Sequence, residues 1–249
     1  SKGGVSRFES TLKSLTSISI SPVGISLFLD ERSRTIPFAI STNSLLTAKA
    51  FSKDRLYERI SALNQIKDAD VVIATAETLM QLTPKKIKVL TLEKDSEVNQ
   101  RDFITQLVKL GYARVESVYS KGTFSLRGDI LDVYPINEEN AIRIDFFGDT
   151  VEAIKRFDPE SRENLGYANN VEILQAVEFT FSDDNLNVFR EEMRQELIKA
   201  NKERKVRLKE ICDDLDFAFT NRDAEGLSVF APLSVDAGSI LDYMPKETV

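Results

Sequence analysis

In TFSLRGDILDVYP, residues 123–135, Arg127 is a lone cation in a run that otherwise alternates like a strand. In AIRIDFFGD, residues 141–149, a period of two puts Ile142, Ile144 and Phe146 on one face and Arg143, Asp145 and Phe147 on the other. An arginine beside a phenylalanine on the polar face of a sheet is a combination enriched among the residues that dominate protein–protein interfaces. On pattern alone, cover of Phe147 by a helix or loop of the same protein is the simpler reading. A solvated strand face also carries an arginine at little cost.

Other chemistry is narrowed by what the chain lacks. It has no histidine, which removes the usual general base and Ser/His/Asp or Cys/His catalysis from within the chain. Its single cysteine, Cys212, cannot form an internal disulfide or a thiolate metal cluster by itself. The phosphate-binding pattern G-x-x-x-x-G-K-[ST] does not occur; SKGGV at residues 1–5 has glycines and a lysine in the wrong order. Neither a catalytic site, a metal site nor a cofactor site is therefore expected in this chain.

Two further motifs bear on function. Arg127-Gly128-Asp129 has the letters of an adhesion motif, but that use needs an exported protein and an exposed loop tip, whereas these residues run into ILDVY. Gly128 reads better as a bulge or a close backbone approach. The basic run KANKERKVRLK offers Lys202, Arg204 and Lys205 as DNA contacts, against the plainer reading of a solvated helix face.

Of the 249 residues 42% are hydrophobic, enough for real cores, and the formal net charge of −7 argues against bulk attraction to nucleic acid. No run approaches the roughly 20 apolar residues of a membrane span, and residues 1–20 show no export signal, so a cytoplasmic location is expected.

The elements that must position these residues follow from periodicity. SKDRLYERISALNQI, residues 52–66, reads as an amphipathic helix capped by Ser52, with Leu56, Ile60 and Leu63 inward. Val71–Ala74 reads as a strand covered on both faces, a short helix follows at Glu77–Leu82, and residues 86–93 form another strand: α/β grammar with a parallel sheet. Next comes a helix capped by Ser96, bearing Phe103, Leu107 and Leu110 and stopped by Gly111. Four strands with tight links then imply an antiparallel sheet. From Asp183 a single long helix is expected, with Leu186, Phe189, Met193 and Leu197 on one stripe, and residues 226–249 return to an earlier domain.

Residues 111–165 carry a long ordered pattern: GY after a helix, G-x-F-x-x-R-G-x-I-L-D-V-x-P, R-I-x-F-F-x-D, and RFDPESR. This resembles the UvrB-homology region of bacterial transcription-repair coupling factors (Mfd), as does the ending SVFAPLSVDAGSILDYMPKETV, and the likeness extends over residues 52–249. The resemblance implies a degenerate UvrB-like helicase domain over 1–88, an inserted UvrA-binding α+β domain over 89–175, and a return segment with a long helix over 176–249. It implies that the inserted domain recruits UvrA to stalled RNA polymerase. Arg127, Arg143 and Phe147 fall on the recruiting positions, which turns the reading of Phe147 from covered to exposed. ATP, magnesium, duplex DNA and polymerase would engage other domains of the full-length protein. Two departures stand: the P-loop is missing, which favours a coupling factor over UvrB itself, and the first domain is short.

Overall fold

The computed structural model describes residues 18–21, 24–27, 35–37, 53–69, 71–74, 76–79, 81–180, 183–220 and 237–244. The chain divides into two compact units, Ser1–Lys86 with Gly238–Val249, and Ile87–Ala237.

In the first unit, β1 (Ile18–Ser21) and β2 (Gly24–Leu27) form an antiparallel hairpin. The short β3 (Thr35–Pro37) lies parallel to β4 (Val71–Ile73). Two strands of three residues each fall short of the larger UvrB-like parallel sheet expected over 1–88, which is not seen among the described residues. Helix α1 (Lys53–Gln65) buries Leu56, Tyr57, Ile60 and Leu63, the predicted face; Ser52 lies outside the described residues. The single turn α2 (Ala76–Leu79) and the bridge β5 (Thr83–Pro84) follow. Tyr243, from the returning segment, donates its hydroxyl to the Pro84 carbonyl.

The second unit is a mainly antiparallel α+β body. Strand β6 (Val89–Glu93) pairs antiparallel with β13 (Asn170–Leu174), rather than with a parallel neighbour. Between them lie helix α3 (Gln100–Lys109) and a six-stranded sheet of β7 (Ala113–Arg114), β8 (Thr123–Arg127), β9 (Ile130–Tyr134), β10 (Ala141–Phe147), β11 (Thr150–Phe157) and β12 (Asn164–Ala168), in the order 12-11-10-9-8-7. Only β7 runs parallel to its neighbour. The inner face stacks Phe124, Leu131, Val133, Ile142, Ile144 and Ile154 in register, all buried. The RGD run thus does not continue as one strand. Gly128, at φ 60°, opens a two-residue hairpin between Arg127 and Ile130 with the glycine-first geometry of a type II′ turn, not a bulge, and the tripeptide sits at an exposed tip.

Helix α3 starts at Asn99, whose side chain accepts from the Asp102 amide, and not at Ser96, whose hydroxyl donates to the Glu93 carbonyl. Its end is a Schellman motif: the Tyr112 amide donates to Leu107 at 3.0 Å and the Gly111 amide to Val108 at 2.9 Å. Gly111 takes φ 90°, and a Cβ there would stand 2.5 Å from Cγ1 of Val177. Gly111→Ala combines a left-handed strain with overpacking and is expected to cost about 2–4 kcal/mol. A denaturant midpoint within error of the wild type would contradict this.

The helical stretch after Asp183 is two helices. α4 (Asp183–Lys199) and α5 (Lys202–Thr220) are separated at Asn201, whose side chain accepts from the Arg204 amide at 3.0 Å and so begins a new helix. They pack through Phe189 and Leu215, with Met193, Ile211 and Phe219 around them. Asp216 clamps the pair, accepting from Arg190 at 2.8 Å and from Arg194 at 3.2 Å. Burial raises the Asp216 carboxyl, but the two arginines outweigh it and leave its pKa below the ordinary aspartate value.

Candidate protein-docking face

The outer face of the six-stranded sheet gathers the side chains singled out above. Register sets Ser125, Asp132, Arg143, Lys155 and Tyr167 in one row across β8 to β12. Arg127, Ile130, Asp145 and Ala153 form the next row, and Phe147 ends β10 beyond it. The end of the face towards Ala141 is covered: Val118 packs on Ala141 and Phe157, with Val115 and Tyr134 alongside. The end towards Arg127 and Phe147 is open.

Arg127 and Phe147 occupy equivalent places, each the last residue before a glycine-first hairpin turn. Gly148, like Gly128, has positive φ, 62°. Both turns are tied to the start of α3. Gln100 donates to the Gly128 carbonyl at 3.3 Å, and the Val98 amide to the Asp149 carbonyl at 2.6 Å. Asp95 and Val151 add two backbone bonds beside the second turn, Asp95 N to Val151 O and Val151 N to Ser96 O. Phe147 is therefore presented at 78% exposure on a braced backbone. No helix or loop among the described residues covers it. The Arg127 guanidinium donates to the Glu116 carbonyl and to the Ser117 hydroxyl, both at 2.7 Å, and borders a cleft of about 600 Å³ with Ser125 and Leu126.

Arg143 is different from the free, solvated cation that alternation alone implies. It grips Asp132 with two hydrogen bonds, at 2.7 and 2.8 Å, and lies 5.1 Å from the Phe157 ring centre. Asp132 is only 5% exposed. Hydrogen bonding to Asp132 raises the Arg143 pKa above its already high value, more than burial lowers it. Replacing Arg143 by alanine would leave that carboxylate with Arg162, 3.8 Å away, as its remaining ion-pair partner, so the change tests the fold as well as the surface. The neighbouring Asp145–Lys155 pair is equally close, and hydrogen bonding to Asp145 holds Lys155 protonated above its ordinary range.

Sequence reading missed Ile130 and Tyr167, both exposed on this face. Ile130 was within reach of the period-two rule applied to ILDVY. Tyr167 lies in NLGYA, which carries too little apolar alternation to announce a strand.

Lys202, Arg204 and Lys205 form no part of this face. They are exposed in the first turns of α5, where the helix dipole disfavours cations, and Arg204 pairs with Glu196 at 3.4 Å. Duplex DNA binding is expected to be weak, to vanish by about 200 mM salt, and to be abolished by neutralising the three. Tight binding in a mobility-shift titration at that salt would contradict it. No group of His, Cys, Asp or Glu among the described residues is placed to hold a metal ion.

The geometry defines a small α+β domain whose sheet leaves one end of its outer face open, with braced aromatic and cationic side chains upon it. Comparison places that domain: residues 90–179 match the family model of the UvrB interaction domain. The chain is 33% identical over 147 residues to UvrABC system protein B of Clostridium botulinum strain Langeland, covering 57% of this chain and 22% of that protein. It is 32% identical over 142 residues to UvrABC system protein B of Bifidobacterium longum, covering 54% and 20%. The Bacillus licheniformis protein of the same name is 30% identical over 158 residues, covering 62% and 23%. The chain thus contains a UvrB-like region and spans about a fifth of the length of these curated relatives.

Proposed function

We propose that this chain is the UvrB-like binding module of a transcription-repair coupling factor, recruiting UvrA to stalled RNA polymerase for transcription-coupled nucleotide excision repair in the cytoplasm. Arg127, Arg143 and Phe147 contact UvrA in this reading, with acids of UvrA opposite the arginines. The observation that carries it is Phe147, a large apolar ring held almost bare inside a region that matches the UvrB interaction domain. The ordered motif between residues 111 and 165 and the closing SVFAPLSVDAGSILDYMPKETV support the coupling factor. A second reading, a segment of UvrB or of a related ATP-dependent DNA-remodelling helicase, is favoured by the names of the curated relatives.

Calorimetric titration of UvrA into the chain tests the shared part of both readings: saturable binding is expected, and its absence contradicts them. The chain itself should neither bind nor hydrolyse ATP, because a phosphate cradle of this kind needs a glycine-rich loop with a lysine. Magnesium-dependent ATP binding would overturn the module. The full-length protein containing this chain is expected to release stalled RNA polymerase at the expense of ATP in its motor domains. If it instead loads onto damaged DNA with UvrA and leaves polymerase in place, it is a UvrB.

A further inference from the structure

The open face does not end at Arg127 and Phe147. Tyr167 stands on the edge strand β12, 71% exposed, directly across from Lys155, whose ammonium lies 5.9 Å from its ring centre. Lys155 is held by Asp145, the residue two before Phe147 on the same side of β10. Phe147, Asp145, Lys155 and Tyr167 thus make a continuous diagonal across three strands, with an exposed aromatic at each end and a bonded ion pair between.

We propose that Tyr167 is a second aromatic anchor of the docking face, and that the partner covers this diagonal with an acidic surface. The inference rests on the docking reading above and extends it to a residue the candidate set omits. The occupant follows from charge. Within the two rows, and with Arg162 against Asp132, Arg127, Arg143, Lys155 and Arg162 outnumber the carboxylates of Asp132 and Asp145, while the exposed Asp129 and Asp149 lie in the turns at the edge. A second copy of the chain docking face to face would set those cations against themselves, which is unfavourable, whereas a partner rich in Asp and Glu completes them. The Tyr167 ring is also inexpensive to immobilise: it has two side-chain torsions and already rests against Lys155.

The test compares wild type, Tyr167→Ala, Tyr167→Phe and Phe147→Ala in the 249-residue chain, titrated with UvrA from the same organism, alongside thermal melts and sedimentation. Tyr167→Ala is expected to weaken binding about ten-fold or more, Tyr167→Phe to retain most of it, and the melts to coincide because the side chain is mostly in solvent. If wild type binds, Phe147→Ala weakens it and Tyr167→Ala does not, Tyr167 is no anchor while the docking reading stands. If wild type fails to bind UvrA at all, the docking reading falls and takes this inference with it. Concentration-dependent dimerisation abolished by Tyr167→Ala would make the occupant a second copy and overturn the proposal.

Discussion

Phe147→Ala is expected to cost about 2 kcal/mol or more of UvrA affinity, some 30-fold in dissociation constant, while leaving the melting temperature within a few degrees. The two effects separate because of where the ring is. At 78% exposure it contributes little to the core, and the turn beneath it is held by backbone bonds from residues 95–98 that the substitution does not touch. Arg127→Glu should reinforce the result: it reverses charge beside the same turn, where a like-charged partner surface would then be opposed, and so should hurt more than Arg127→Ala. A Phe147→Ala chain that unfolds while its folded fraction binds normally would make the ring a core residue after all.

Ile144→Ala, from the opposite face of the same strand, should do the reverse. Its side chain is fully buried between Leu131 and Ile154, both also at 0% exposure. Truncation removes buried methyl groups and leaves a cavity that paired strands cannot close, for a loss of about 2–5 kcal/mol. For a unit of this size that is a fall of roughly 4–20 °C in melting temperature. UvrA affinity, measured where the variant remains folded, should be unchanged. A stable Ile144→Ala chain would mean that the inner face is not the core.

The division of β10 into these two faces was readable from AIRIDFFGD because a strand alternates strictly and one face is greasy. What alternation cannot supply is register. That Arg143 lies opposite Asp132 depends on the length of the connection between β9 and β10, so the arginine read as solvated when it is half of a clamp on a buried carboxylate. Gly128 was misread for a related reason: RGD between two apolar stretches scans as one interrupted strand, and only pairing of Arg127 with Ile130 reveals a turn. The α4–α5 boundary was hidden because residues on both sides of Asn201 are equally helical in composition. The break rests on a single side chain accepting one amide. The bareness of Phe147 is a fact about the whole domain, since any distant segment could have covered it, and family resemblance anticipated it where pattern did not.

The most direct test of the docking face is hydrogen–deuterium exchange of the 249-residue chain with and without UvrA. Slowed exchange is predicted at the two hairpin turns, Gly128–Asp129 and Gly148–Asp149, and along β12 near Tyr167, with α4 and α5 unaffected. Unchanged exchange at both turns, with protection appearing on α4 and α5 instead, would contradict the account.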